Sequence, residues 1–245
     1  MSASTWQPDD HLENAARGIA LRIVRSPEAE DDLARYYATD GDYAGATFAN
    51  LADNDPMRIT PTDLLAVTAL SVSIPPLAVR RFTSGGDATQ ISQLLEALPT
   101  DADIRSGETH SAAMARLYDF VKKCLRRSTS DSSNAWVTTS KICARKRPLL
   151  FPVRDSVVVE VLGLKANYPD DWPVFAALMK DREVTDGVQD LIERVAPREG
   201  VDVGDTTLTL KHLDVLLWMA GMRQRRRDKT LGAPTTSSGV TTSGE

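Results

Sequence analysis

A chain of 245 residues with 42% hydrophobic and 26% charged side chains has the composition of a soluble globular protein, which excludes collagen-like and wholly disordered classes. Its formal net charge of −5, taken as a whole-chain average, argues against a nucleic-acid partner. Two cysteines, Cys124 and Cys143, and three histidines far apart in sequence exclude a disulfide framework and a four-cysteine zinc site, so neither metal nor cofactor is expected.

From the amino terminus, the first fifteen residues are polar and acidic and lack the basic start and apolar run of a secretory signal. Ser26-Pro27-Glu28 and Thr60-Pro61-Thr62-Asp63 each offer a hydroxyl N-cap, a proline at the first helical position and an acid in the first turn, and each predicts a helix start. Between them, Gly41 to Arg58 has the Gly, Asp, Asn and Pro content of irregular chain. The longest apolar stretch, Leu64 to Val79, is broken by Thr68, Ser71, Ser73 and Pro75-Pro76, short of the ~20 apolar residues of a membrane helix. A cytoplasmic protein without membrane association is expected, its cysteines reduced and packed as small apolar residues.

A helix follows Asp87, carrying Ile91, Leu94, Leu95 and Leu98 on one side. After Thr109, the residues Met114, Leu117, Tyr118, Val121 and Leu125 recur at three- and four-residue steps, which predicts a helix to about Arg127 with one apolar face. Ser128 to Asn134 has turn composition, and a second helix is expected from Val137 to about Arg145. The β-branched run Val157 to Val161 is read as helix, because Asp155 can cap it and Gly163 can end it. Further helices are expected after Asp170, after Thr185 and from Thr209 through Trp218, with Trp172 and Trp218 in the core. Residues 230–245 lack a periodic apolar face and read as a disordered tail. The fold class is therefore all-α, a single compact multi-helix domain over residues 1–229.

The charge is unevenly spread. Residues 116–154 hold ten basic side chains and two acids, a net of +8, which leaves −13 for the remainder of a chain whose total is −5. A run of this kind either solvates exposed helix faces or forms a surface that attracts phosphate. Two helices joined by a short turn can aim backbone N–H groups at a phosphate while Lys and Arg neutralise its neighbours. A second basic cluster, Arg223 to Lys229, ends the last helix, where cations also offset the helix dipole.

The strings ITPTDLLAVTALSVSIPPLAVRR from Ile59, WVTTSKICARKRPLLFPVRDSVV from Trp136 and LDVLLWMAGM from Leu213 resemble an uncharacterised family of bacterial proteins, a domain of unknown function, over about Tyr36 to Met222. That resemblance implies one cooperative unit and brings no activity. More remotely, the middle string resembles the helix-hairpin-helix core of base-excision DNA glycosylases, over about residues 116–160. The resemblance implies that Ser133, Asn134 and Ala135 stand at the hairpin that holds the DNA backbone, and that Asp155 stands at the catalytic aspartate. Ser133 and Ala135 occupy positions where that superfamily uses glycine for close approach to phosphate. Val137 stands where lyase-type members carry a Schiff-base lysine, and Lys141 lies one turn beyond it.

The sequence thus points to a DNA-binding protein, DNA being favoured over RNA, that contacts the phosphate backbone through Lys141, Arg145, Lys146, Arg147 and Arg154, with Ser133 and Ala135 at the hairpin and Trp136 able to stack on a base. Two alternatives stay open. One is a monofunctional DNA glycosylase in which Asp155 stabilises charge on the sugar or activates water; the same aspartate also suffices as a plain helix cap. The other is a regulatory or scaffold protein whose basic element meets an acidic protein partner.

Overall fold

Apolar residues at helical spacing, punctuated by proline and aspartate starts, fold into helices and no strands among the described residues of the computed structural model, which are 6, 8–52, 54–130, 134–165 and 168–231. In chain order these are α1 (Asp10–Val24), α2 (Ala29–Tyr36), α3 (Gly45–Asn50), α4 (Pro61–Ala69), α5 (Pro76–Thr83) and α6 (Gly85–Glu96). A 3-10 turn (Ile104–Ser106) precedes α7 (Gly107–Cys124), followed by α8 (Trp136–Lys146), α9 (Ser156–Val161), α10 (Tyr168–Lys180), α11 (Arg182–Val195) and α12 (Thr209–Leu231). The protein is all-α, a single compact multi-helix domain.

Several starts and faces follow directly from the sequence. Thr60 and Asp63 close a reciprocal capping box on α4, the Asp63 amide donating to Thr60 Oγ1 at 3.3 Å and the Thr60 amide to Asp63 Oδ2 at 2.8 Å. The Asp155 carboxylate accepts from the Val157 amide at 2.8 Å and starts α9, and Gly163, at φ +65°, stands just past its end. Met114, Leu117, Tyr118, Val121 and Leu125 are all buried, as one face of α7 and its exit. Trp172 and both cysteines are core residues, and burial pushes both thiols above their ordinary range.

Other expectations are corrected. Ser26 does not cap α2, which begins after Glu28 without a side-chain cap. The irregular stretch from Gly41 to Arg58 contains α3, a short helix whose first residue, Gly45, abuts Tyr36 so closely that a Cβ there would overlap the Tyr36 carbonyl and ring. Helix α12 runs on through Thr230 to Leu231, and the rest of the expected tail lies outside the described residues. Helices α1 and α5 have signals too, an Asp9 cap and a proline at the first helical position, that the sequence reading did not use.

Two hydrophobic clusters organise the domain. One joins both ends of the chain, with Leu33 of α2, Phe175 of α10, Ile192 of α11 and Leu213 of α12. The other is formed by the middle of the chain, with Phe82, Leu95, Leu117 and Ile142, and is entered by Trp172 from α10. Helix α12 passes so close to α9 that a Cβ on Gly221 would strike Val157 and Val161.

The most unusual packing concerns α8. Lys141, Arg145, Lys146 and the C-cap Arg147 are all buried. Arg145 Nε donates to Asp63 Oδ1 at 3.1 Å, and its other nitrogens donate to the Phe48 and Leu51 carbonyls at 2.5 Å. Lys146 Nζ donates to Asp63 Oδ2 at 2.5 Å and to Asn54 Oδ1 at 2.8 Å. Arg147 meets carbonyls instead, at Leu98, Leu95, Pro56 and Lys146. Burial lowers the pKa of Lys146 and Arg147, and Asp63 opposes this at Lys146. The group fastens the 48–58 segment, α4 and α6 onto α8.

Asp63→Ala removes the carboxylate from two buried cations and opens the capping box, so the variant is expected to lose about 3–5 kcal/mol of unfolding free energy in a denaturant titration. A loss within the range of ordinary surface substitutions, roughly 0.5 kcal/mol, would show that the buried cations do not depend on Asp63.

Candidate functional site

A cavity of about 240 Å³ opens where the two clusters meet. Its walls come from the end of α2, the chain leading into α3, the exit of α4, the first turns of α8 and α9, and α12. That volume falls below the roughly 300–1,000 Å³ of pockets for drug-sized ligands and suits a small ring system.

One wall is aromatic. Tyr36 and Tyr43 have ring centroids 5.8 Å apart at an interplanar angle of 30°, and each meets the Trp218 ring edge-on at 5.8 Å. The cavity also carries an ion pair, with Lys141 Nζ 3.5 Å from Asp155 Oδ2. Lys141 also donates to the Leu70 carbonyl at 2.9 Å, which sets the amine at the carboxyl end of α4, where the helix dipole favours a cation. Burial lowers the Lys141 pKa while Asp155 opposes the shift. Next to Leu70, Ser71 lies in the left-handed region at φ 59°, and its residue also lines the cavity.

The first half of α12 adds a row of buried polar groups. Lys211 Nζ donates to the Val203 carbonyl at 3.0 Å, and burial brings its pKa down to about 8. His212 Nε2 faces the Asp205 carbonyl at 3.1 Å, which assigns the ring proton to Nε2 and leaves Nδ1 to accept from the Tyr37 hydroxyl at 2.9 Å. Burial, with Lys211 nearby, holds the His212 pKa down at about 3. Asp214 accepts from the Val153 amide at 2.6 Å through Oδ2, and burial raises its pKa to about 8. Its Oδ1 is buried without a hydrogen-bond partner. Burial, followed by Asp214 and Asp155, raises the pKa of the Tyr36 hydroxyl.

Of the residues singled out in the sequence, Asp155 and Lys141 meet in this cavity. The other basic residues of the expected phosphate-contacting set turn inward. Arg145 and Lys146 meet Asp63, Arg147 meets carbonyls, and Arg154, 1% exposed, pairs with Asp171 and lies 5.2 Å from the Trp136 ring centre. An exposed basic face made of these residues is thus corrected to a buried network, for a physical reason: each guanidinium or ammonium group finds acceptors inside the fold that replace water. Ala135 is the N-cap of α8 and Trp136 its first residue, half-buried, its carbonyl accepting from Tyr118 Oη at 2.9 Å. Ser133 lies outside the described residues. The exposed part of the basic segment is on α7 and its exit, at Arg116, Lys123 and Arg127, with Lys122 and Arg126 half-exposed. In the second cluster, Arg223, Arg225 and Arg227 pair with Asp32, Glu160 and Glu28.

The sequence reading missed the aromatic wall and Asp214. Three of the five tyrosines fall within residues 36–43, a usable signal. Trp218 is half-buried at the cavity and not a fully enclosed core residue as expected. Among the described residues no group of His, Cys, Asp or Glu is arranged to hold a metal ion, and no helix is long and apolar enough to cross a membrane.

A family model matches residues 29–221, a span that takes in the middle cluster, every wall of the cavity and all of the other cluster except its α1 residues. The chain belongs to the family of unknown function DUF6308. No curated protein and no solved structure matches it.

Asp214 gives the site a pH signature. The folded chain keeps a proton on this carboxyl up to about 8, whereas the unfolded chain releases it near the ordinary value of 3.8. Across that window the native state binds more protons, so stability falls as pH rises. Asp214→Asn carries no such proton. Relative to this variant, wild type should lose unfolding free energy steadily from about pH 4 to about pH 8, by at most about 1.4 kcal/mol per unit, and level off above. A difference that stays flat across the range would mean the carboxyl ionises as in water.

Proposed function

We propose that this protein binds DNA and receives one extruded base in the cavity between its two clusters. The observation that carries the reading is the cavity itself: a small, partly enclosed space lined by the Tyr36, Tyr43 and Trp218 rings and by the Lys141–Asp155 pair. A base taken out of its stack needs aromatic surface and a few polar groups at its edge, and such a space offers both. The backbone is met by the cations of α7 and its exit, Arg116, Lys122, Lys123 and Arg127, which remain exposed or half-exposed. That helix is tied to the start of α8, whose Val137 and Lys141 line the cavity, through the Tyr118 hydroxyl and the Trp136 carbonyl.

A second, catalytic reading is favoured by Asp155. Its carboxylate is partly exposed in the cavity, beside an amine held by burial and a helix end. The remote resemblance to the helix-hairpin-helix core of DNA glycosylases assigns the catalytic aspartate to the same residue. In this reading Asp155 stabilises positive charge on the sugar, or activates water, as the glycosidic bond breaks.

Binding to single-stranded and duplex oligonucleotides across a salt series tests the first reading. Trp218→Ala and Tyr43→Ala should each weaken binding roughly tenfold. Replacing Lys122, Lys123 and Arg127 together by Glu should flatten the salt dependence. Absence of binding at low salt, or binding indifferent to all of these changes, would remove the proposal. Abasic product from a panel of modified-base duplexes, lost in Asp155→Asn, would establish the catalytic reading; intact binding without product counts against it and leaves the binding reading in place.

A further inference from the structure

Asp214 is the one acid in the cavity wall whose burial no cation relieves. Lys211 is committed to the Val203 carbonyl and Lys141 to Leu70 and Asp155. Arg145, on the far side of a smaller adjoining cavity that shares Asp214, is committed to Asp63 and two carbonyls. From α2, Tyr36 and Tyr37 face Asp214 with neutral hydroxyls whose ionisation its charge would oppose. Among the described residues only the Val153 amide binds the carboxyl, and it takes Oδ2. Oδ1 is left buried and unpartnered in a residue that lines both cavities and is 3% exposed.

A bare carboxylate in such a place is costly, and a buried polar atom without a partner is rare enough in folded proteins to need a reason. Holding a proton removes the charge. Since Oδ2 accepts from an amide, the proton belongs on Oδ1, which turns that atom into an O–H donor that the protein itself leaves without an acceptor.

We infer that Asp214 is a specificity-determining residue that acts as a neutral hydrogen-bond donor and selects rings presenting an acceptor, a carbonyl oxygen or an unprotonated ring nitrogen, at the edge that reaches α12. The inference rests on the reading of the cavity as a base pocket and names the chemical edge that the pocket recognises. Lys141 and Asp155 hold the remaining polar groups of the ring, while Tyr36, Tyr43 and Trp218 take its face. The raised pKa of Asp214, about 8, agrees with a carboxyl that is protonated at neutral pH.

An asparagine at this position separates the donor from the acid. Its carbonyl can accept from the Val153 amide while its NH₂ donates where Oδ1–H did, at every pH. The test measures binding of free adenine and hypoxanthine, and of their 3-deaza and 7-deaza analogues, by the fluorescence of Trp218 against a Trp218→Phe background, for wild type, Asp214→Asn and Asp214→Leu. Wild type should bind at least one of the parent bases, lose about tenfold when the ring nitrogen that meets Asp214 is replaced by C–H, and weaken as pH rises through about 8. Asp214→Asn should retain the affinity and lose the pH dependence. Asp214→Leu should lose about tenfold, and since this variant can fail by misfolding, the Asn variant decides. Wild-type binding that is flat with pH, loss of binding in Asp214→Asn, or no binding of any parent base each overturns the inference.

An oligonucleotide arm keeps the two proposals apart. Free bases that bind with the Asp214 signature while no oligonucleotide binds would sustain the donor and refute the nucleic-acid reading. Oligonucleotides that bind through Trp218 without any Asp214 signature would do the reverse.

Discussion

Four cationic side chains buried on one short helix and its cap can persist only if acceptors inside the fold replace the water they give up. Asp63 supplies two of these at once, to Arg145 and Lys146, while still completing the capping box with Thr60. Backbone carbonyls of the 48–58 segment and of the end of α6 supply most of the others. Pairs of this kind contribute modestly to net stability, because desolvation offsets much of the attraction, but breaking one is expensive. Their effect is to fix one arrangement of chain over another. A 48–58 segment with little helix of its own is held against α8, and the chain leading into α3 and α3 itself bring Tyr43 and Phe48 to the cavity. Arg145, Lys146 and Asp63, none of which lines the cavity, thus position its wall.

This explains why the basic segment was hard to read. A run such as Arg145-Lys146-Arg147 has the same appearance in sequence whether water or protein receives it, and the deciding partner, Asp63, stands more than eighty residues earlier. Long-range pairing leaves no local pattern. Where the determinant was local the reading was sound: the buried face of α7 follows from spacing alone, and the Thr60 and Asp155 starts follow from side-chain oxygens that reach their own helix amides. The site lay between these extremes. Asp155 was legible through its position in a motif and Lys141 through its charge. Asp214 sits among Leu213, Val215, Leu216 and Leu217 in a helix segment buried on every side. A carboxylate amid such a run is the sign of an acid with a special environment, and that sign stands in the sequence itself.

Burial also divides the titratable groups of α12 by sign. Lys211 and His212 give up protons more readily than in water, and Asp214 holds its own more tightly. All three shifts move the groups towards neutrality, the expected response of ionisable side chains packed without partners of opposite charge. The arginines further along the helix are instead salt-bridged, to Asp32, Glu160 and Glu28. One helix therefore presents a buried polar segment at the cavity and a salt-bridged segment beyond it, and the change falls just past Trp218.

The two clusters differ in what the chain must have completed before each can form. The middle cluster draws almost entirely on a continuous stretch, from Phe48 to Phe151, with Trp172 as its late addition. The other needs Ala16 to Tyr37 to meet Val158 to Met219, contacts that enclose the whole middle of the protein as a loop, and pairings of such sequence separation form late because loop closure opposes them. The apolar faces of the first two helices are covered by helices from the far end of the sequence, α10, α11 and α12. The cavity shares walls with both clusters, so it is complete only where the two have met.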